Sequence, residues 1–361
     1  MSTPHPRFHW LTVCDVTRET GTAVSMAFDV PPTLARDYAF APGQCLTLRA
    51  TIEGDEVRRS YSICSGPDDG ELRVAVKQVD DGLFSRWVNE TLRVGQTLEV
   101  MTPTGRFGFG ASVAGGGVYV AFVAGSGITP VLSILRHVLR REPASRFFLF
   151  YGNRTGSDVL FREALTELKD RYLQRLSVLH VLSREEQDVP ILNGHLDGDK
   201  VRALLTTMVP AATIDHAFIC GPAGLIADVQ ATLHDLGVAD EKVHVERFVS
   251  AEGGRPRRAP AVVSPEAPPA HVAALIVDGK RREVPVAAGE AILDAALRAG
   301  VDLPFACRGG MCASCRARIV FGTTTMAVNY SLEPWELTAG FVLTCQAHPT
   351  SPRVVVDFDQ V

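Results

Sequence analysis

The sequence predicts a multidomain protein: an antiparallel β-barrel, then an α/β unit on a parallel sheet, then a small α+β unit. Three observations predict it. Short apolar strands separated by Pro-Gly, Gly-Pro and Asp-Gly turns occupy the first hundred residues. From Val118 onward strands alternate with helical stretches, the pattern of a parallel sheet with crossover helices. After a proline-rich run come a hairpin, a helix and a cysteine-bearing loop. At 361 residues the chain is long enough for several units, each with its own core. The boundaries are read at residues 1–112, 113–250, 251–270 and 271–361.

In the first unit the strands are expected at residues 46–51, 59–65, 72–79 and 97–101. In the second, strands at 118–123, 146–151, 176–182 and 217–220 alternate with helices at 131–140, 159–171 and 225–236. Residues 251–270 form a linker, because proline at the density of Pro265, Pro268 and Pro269 holds neither a ladder nor a helix. Beyond it, residues 273–277 and 282–286 flank Asp278-Gly279 as a hairpin. Residues 289–300 read as a helix with Ile292, Leu293, Ala296 and Leu297 on one face.

The net charge of -5 and the lack of a basic patch argue against nucleic acid as a partner. The N-terminal residues lack the charged-then-apolar order of a secretion signal, and the longest apolar runs are strand-sized, so no membrane span is expected. The protein is read as cytoplasmic, where its eight cysteines stay reduced.

Four of those cysteines carry the strongest signal. Cys307, Cys312 and Cys315 follow C-x4-C-x2-C, and Cys345 comes after 29 intervening residues, the plant-type spacing for a [2Fe-2S] cluster. Arg308, Gly309 and Gly310 fill the first gap, where glycine-permitted dihedrals let backbone N–H groups turn toward the sulfurs. The alternatives are buried structural thiols or a four-thiolate zinc site, although zinc sites usually use two short knuckles.

Two turns suit a dinucleotide. Gly125-Ser126-Gly127-Ile128-Thr129-Pro130 follows an apolar strand and opens a helix, so the backbone can approach a pyrophosphate at a helix N-terminus. Such turns are also common in α/β proteins without this role. Cys220-Gly221-Pro222-Ala223-Gly224 lies at the end of a later strand, on the edge where parallel sheets bind ligands. After the strand at 176–182, Ser183 and Arg184 offer the hydroxyl and guanidinium that a 2'-phosphate requires, with Arg154 as a further cation. This favours NADPH, with NADH possible.

Arg59-Ser60-Tyr61-Ser62 resembles the R-x-Y-S flavin motif of the ferredoxin-NADP reductase superfamily. Gly82-Leu83-Phe84-Ser85 and Pro103-Thr104-Gly105-Arg106-Phe107 are similar to that superfamily's helix opening and barrel-closing turn. The resemblance implies an FAD-binding barrel in which Arg59 neutralises flavin phosphate, Tyr61 packs along the flavin and Ser62 donates toward N5. It further implies a pyrophosphate met at Gly82 and Ser85. Lys77, on the next strand, is read either as a second phosphate contact or as a solvated lysine. On the nucleotide side it implies Gly125, Gly127, Thr129 and Pro130 at the pyrophosphate, Cys220, Gly221 and Pro222 beside the nicotinamide, and Phe248 over the flavin face.

The order of barrel, nucleotide unit, linker and C-terminal β-grasp ferredoxin covers the whole chain and resembles the reductase components of multicomponent oxygenases. More narrowly, Leu303-Pro304-Phe305-Ala306-Cys307-Arg308-Gly309-Gly310-Met311-Cys312 and residues 326–334 and 340–349 resemble the family of reductase subunits of bacterial phenylacetyl-CoA epoxidases. Trp335 departs from that family, which places an acidic or polar residue there. The resemblance implies electron flow from NADPH to FAD, to [2Fe-2S], and on to an oxygenase component of di-iron type. The same layout serves reductases of Rieske and 3-ketosteroid hydroxylase systems. From other classes, a redox-sensing interaction protein and a stand-alone ferredoxin reductase are weighed against it; the latter needs no cluster of its own. Residues 271–361 hold nine acidic and eight basic side chains, so this ferredoxin lacks a strong negative field, and a tether supplies local concentration instead.

Overall fold

A computed structural model of the chain describes residues 6–108, 116–248 and 270–360. The boundary expected at 112 and linker residues 251–269 lie outside the described residues.

The first unit contains β1 (Phe8–Thr20), β2 (Ala23–Asp29), β3 (Cys45–Ile52), β4 (Asp55–Ser62), β5 (Leu72–Lys77), α1 (Leu83–Thr91) and β6 (Thr97–Met101). Its strands form one antiparallel sheet in the order β4-β3-β6-β1-β2-β5. A bridge between Ile63 and Val74 brings the two edges together and closes the barrel. Leu46, Leu48, Val74, Val76 and Val100 fill it, and Phe84 and Val88 of α1 pack on the same core. Strand β4 begins four residues earlier than its pattern suggests. Glu53 and Gly54, both at positive φ, form a tight hairpin that pairs the charged start of β4 with β3. Strands β1 and β2 do not stand out in the sequence: register shifts at Val13/Asp15 and Arg18/Thr20 break the alternation that reveals a strand.

The second unit contains β7 (Val118–Ala124), α2 (Ile128–Arg141), β8 (Arg146–Asn153), α3 (Arg162–Arg171), β9 (Leu176–Leu182), α4 (Gly198–Met208), β10 (His216–Cys220), α5 (Ala223–Asp235) and β11 (Val243–Glu246). The five strands are parallel, in the order β11-β10-β7-β8-β9. Tyr119, Ala121 and Val123 face one apolar layer, with residues of α2 and α3. Val120 and Phe122 face the other, with residues of α4 and α5. Chain order reverses between β7 and β10, which opens a crevice at their carboxyl ends. Helix α3 starts three residues later than expected because Phe161 is left-handed and turns Val159 and Leu160 into the core.

The third unit contains β12 (His271–Val277), β13 (Lys280–Val286), α6 (Ile292–Arg298), β14 (Arg316–Phe321), β15 (Thr324–Met326), α7 (Pro334–Thr338), β16 (Phe341–Leu343), β17 (Ala347–Pro349) and β18 (Arg353–Asp357). A mixed sheet, β13-β12-β18-β14-β16, is covered by α6 through Ile292, Leu293 and Ala296. The Asp278-Gly279 hairpin forms as expected, with both residues at positive φ.

Gly127 sets how closely β7 approaches β10. A Cβ there falls 2.1 Å from the Cys220 carbonyl oxygen, so no side chain fits. Gly127→Ala is expected to destabilise the protein by about 1–3 kcal/mol in thermal or chemical denaturation and to weaken dinucleotide binding.

Candidate active site and cluster loop

Three strand ends from two units meet at one point. Ser62, at the end of β4, is buried, and its hydroxyl donates to Glu246 Oε2 at 3.3 Å across the domain boundary. Glu246 closes β11, in register with Cys220 at the end of β10. Partial burial pushes the Glu246 carboxyl up to about 8, against a pull downward by the Ser62 hydrogen bond. Burial, then the charge of Glu246, raises the Cys220 thiol well above its ordinary value. Cys45 lies opposite Ser62 on β3; burial pushes its thiol up to about 12, with further upward contributions from Glu246 and Cys307. Cys45 therefore stands within electrostatic reach of both the Ser62–Glu246 pair and the cysteine loop. Glu246 is not among the residues the sequence points to, although it lies two positions before Phe248. Phe248 itself is partly buried against the core that includes Ile128 and Cys220.

On the barrel, Arg59 is exposed and its Nη1 donates to the Arg58 carbonyl at 2.8 Å. Tyr61 packs against Phe84 of α1, ring centroids 5.8 Å apart. Gly82 caps α1 without a side-chain hydrogen bond, and a Cβ there would lie 2.4 Å from Ser85 Oγ. The Ser85 hydroxyl is committed inside that turn, accepting from Val79 N and donating to the Gly82 carbonyl. What Ser85 offers a ligand is thus its backbone N–H in the first helical turn. Lys77 reaches away from the barrel: its Nζ lies 3.8 Å from the position of a Cβ on Gly125, beside the nucleotide turn.

In the crevice, Gly125 is left-handed and Tyr151 donates to its carbonyl at 2.9 Å. Thr129 directs its hydroxyl to the Ser126 carbonyl, and Pro130 is buried in the first turn of α2. No side chain caps α2, so the turn presents backbone donors outward. Gly221 packs close to Ala124, whose Cβ is 3.3 Å from a built Cβ, and Pro222 precedes α5. Beyond the sheet, Ser183 N donates to the Asn153 carbonyl and Arg184 N to the Arg154 carbonyl. This pairing sets Ser183 and Arg184 beside Arg154, and both arginines are exposed. Glu185 turns away to accept from Gly156 N at 2.6 Å.

The cysteine loop holds its thiols in two pairs, Cys307 with Cys312 and Cys315 with Cys345. Two thiolates per iron is the arrangement a two-iron cluster needs, whereas one zinc ion needs all four at a single point. Among the described residues, no three His, Cys, Asp or Glu side chains form such a point. Gly309, Met311 and Cys312 donate backbone N–H groups to Cys307 Sγ at 3.3, 3.4 and 3.4 Å. The Cys312 hydrogen bond and these donors hold the Cys307 thiol down at about 5. Of the loop residues expected to need unusual dihedrals, Gly310 and Arg308 are at positive φ, joined by Ala313. The loop's chemistry and pairing fit a [2Fe-2S] cluster.

Comparison with known proteins agrees with this geometry. Residues 15–109 match the oxidoreductase FAD-binding domain, 122–231 the oxidoreductase NAD-binding domain, and 275–350 the 2Fe-2S iron-sulfur cluster binding domain. The chain is 47% identical to the E component of the 1,2-phenylacetyl-CoA epoxidase of Escherichia coli K12, over 98% of each chain. It is 35% identical to the ferredoxin reductase component of 3-ketosteroid-9-alpha-monooxygenase of Mycobacterium tuberculosis, over 97% of this chain and 96% of that one. Phthalate dioxygenase reductase shares the fold, with a TM-score of 0.59 at 21% identity over 97% of this chain and 98% of that one. The molecule is accordingly an oxidoreductase of the flavin and iron-sulfur reductase type, with sites for FAD, a nicotinamide dinucleotide and a [2Fe-2S] cluster. None of the helices among the described residues is long and apolar enough to cross a membrane.

Glu246 gives a pH signature. Its folded pKa of about 8 lies above the ordinary 4.5, so the fold keeps a proton that the unfolded chain releases. Its contribution to stability is full below about pH 4.5 and is lost as pH rises through 8. In the cofactor-free protein, Glu246→Gln is expected to raise the melting temperature relative to wild type at pH 8.5 and to leave it nearly unchanged at pH 4.5. Equal differences at both pH values would remove the assignment.

Proposed function

For a chain that belongs to the family of phenylacetyl-CoA epoxidase E components, we propose that it is the NADPH-dependent reductase of such an epoxidase, delivering single electrons to a di-iron oxygenase component that acts on phenylacetyl-CoA. The observation that carries the reading is that Ser62, paired across the ladder with Cys45, bonds Glu246 of the nucleotide unit, while Cys45 lies within electrostatic reach of both Glu246 and Cys307. The end of the β3–β4 ladder thereby faces both the hydride-accepting side and the one-electron outlet.

FAD, when bound, accepts a hydride as two electrons and releases them singly, and the cluster takes one at a time. The chain's residues do the rest. Arg59 and the open first turn of α1, at Gly82 and Ser85, balance flavin phosphate charge, and Tyr61 walls the flavin. Ser62 offers a hydroxyl toward N5: Glu246, which retains a proton near neutral pH, can then donate to Ser62 Oγ and leave the hydroxyl proton free for N5. Gly125, Gly127, Thr129 and Pro130 shape the dinucleotide's pyrophosphate turn, with Lys77 as its cation. Cys220, Gly221 and Pro222 border the nicotinamide, and Phe248 covers the flavin face until the nicotinamide displaces it. Cys307, Cys312, Cys315 and Cys345 ligate the cluster.

The preference for NADPH rests on Ser183, Arg184 and Arg154, and is supported by Glu185, whose carboxylate is engaged with Gly156 rather than set to receive a free ribose hydroxyl. Arg184→Ala is expected to raise KM for NADPH about tenfold or more while changing KM for NADH little, in steady-state ferricyanide reduction. Equal losses for the two nucleotides would remove the 2'-phosphate assignment.

The partner is tested by oxygen uptake with NADPH and a reconstituted phenylacetyl-CoA epoxidase, with and without phenylacetyl-CoA, scoring epoxide. Substrate-dependent, coupled turnover is the expected result. Good ferricyanide reduction without epoxide would assign the electrons to another oxygenase, such as one of the 3-ketosteroid type.

A further inference from the structure

The third unit is held to the barrel by a small set of contacts with one buried anion at its centre. Glu336, in the short helix α7, has no solvent exposure. Its Oε1 accepts from Arg106 Nη1 of the barrel at 2.6 Å and from Arg316 Nε of the third unit, also at 2.6 Å. Its Oε2 accepts from Glu333 N at 3.0 Å, closing a capping box. The Arg106 guanidinium also stands 5.4 Å over the ring of Trp335. The Arg316 guanidinium is pinned over Phe341 at 3.5 Å. Across the same boundary, Arg58 lies 4.0 Å over Phe305, two residues before Cys307, and pairs with Asp302 at 3.5 Å.

A carboxylate without access to water is costly unless its charge is matched, and neither cation alone accounts for the site. Arg316 comes from Glu336's own unit and is present whether or not the units touch. Arg106 arrives only on contact, and the partners shown for its side chain, Glu336 and Trp335, both belong to the third unit. Its role is therefore between units rather than within the barrel.

We propose that Arg106, received by Glu336 and Trp335, is the positioning residue that clamps the cluster-bearing unit against the flavin barrel and thereby governs transfer of an electron from reduced FAD to the cluster. The inference rests on the electron-transfer reading above. The clamp residues undergo no redox change and would hold the two units at the separation over which FAD, once reduced by the nicotinamide dinucleotide, would give its two electrons singly to the cluster, the proton going to solvent when both have left. A docked geometry raises the effective concentration of acceptor at donor, and the observed rate scales with the docked fraction.

The test uses the full-length protein loaded with FAD and cluster. Arg106→Ala is expected to expand the particle in small-angle X-ray scattering and to raise hydrogen exchange in α7. It should slow cluster reduction about tenfold after anaerobic mixing with NADPH, followed by cluster absorbance. Ferricyanide reduction, drawn from the flavin, should be unchanged; its loss would mark failure of the flavin assignment rather than of the clamp. Trp335→Ala is expected to show the same pattern more weakly, and Arg106→Lys to recover most of the transfer rate. Unchanged cluster reduction in both alanine variants overturns the proposal, as does slowed reduction with unaltered scattering and exchange.

Discussion

Much of the site depends on two strand ends from separate units meeting in water-poor surroundings. Ser62 belongs to an antiparallel barrel and Glu246 to a parallel sheet, 184 positions apart in sequence, yet their side chains share a hydrogen bond. That contact requires the end of β4 to face the carboxyl end of the sheet, the edge where β7 and β10 diverge to make a crevice. Once the edges face each other, Cys220 is buried by the same packing, Lys77 crosses to the Gly125 turn, and Phe248 is delivered to the seam. The cost is an acidic side chain partly withdrawn from water, which the protein meets by retaining the proton near neutral pH.

The sequence revealed those features whose physics is local. The spacing of Cys307, Cys312 and Cys315 constrains one loop; Asp278-Gly279 demands positive φ at both turn positions; Gly125 to Pro130 joins a strand directly to a helix. Features that depend on distant partners were silent. Glu246 lies two positions before Phe248, which the sequence singles out, but nothing near it reveals that Ser62 will be its partner. Strand position alone suggests Lys77 as a flavin phosphate contact, whereas its ammonium sits by the nucleotide turn, a fact fixed by the packing of two units. Ser85 does stand on the helix opening, as its motif implies, yet its hydroxyl serves the turn itself.

Secondary structure followed the same division. Strand β6 matches its pattern to the residue, since five residues between turns leave no room for adjustment. Strand β1 is hidden because bulges shift which face each side chain takes. Helix α6 is expected across residues 289–300 and runs only Ile292–Arg298, since Gly289 and Gly300 are both left-handed and stand outside it. Helix α4 is not expected from the sequence, although it carries a local signal in Asp197, whose side chain caps it by accepting from Lys200 N.

Strand β4 has a consequence for how this architecture can change over time. Arg58 and Ser62 lie on one face of it, four residues apart, the first touching the cluster-bearing unit and the second the nucleotide sheet. Arg59 and Tyr61 occupy the opposite face. The strand therefore works as a ruler of about 14 Å between the two interfaces. Inserting one residue between Arg58 and Ser62 would reverse the face of one contact relative to the other. Inserting two would restore the faces but lengthen the ruler by about 7 Å. Drift in this lineage is thus expected to proceed by substitution within β4, with length variation confined to the loops on either side.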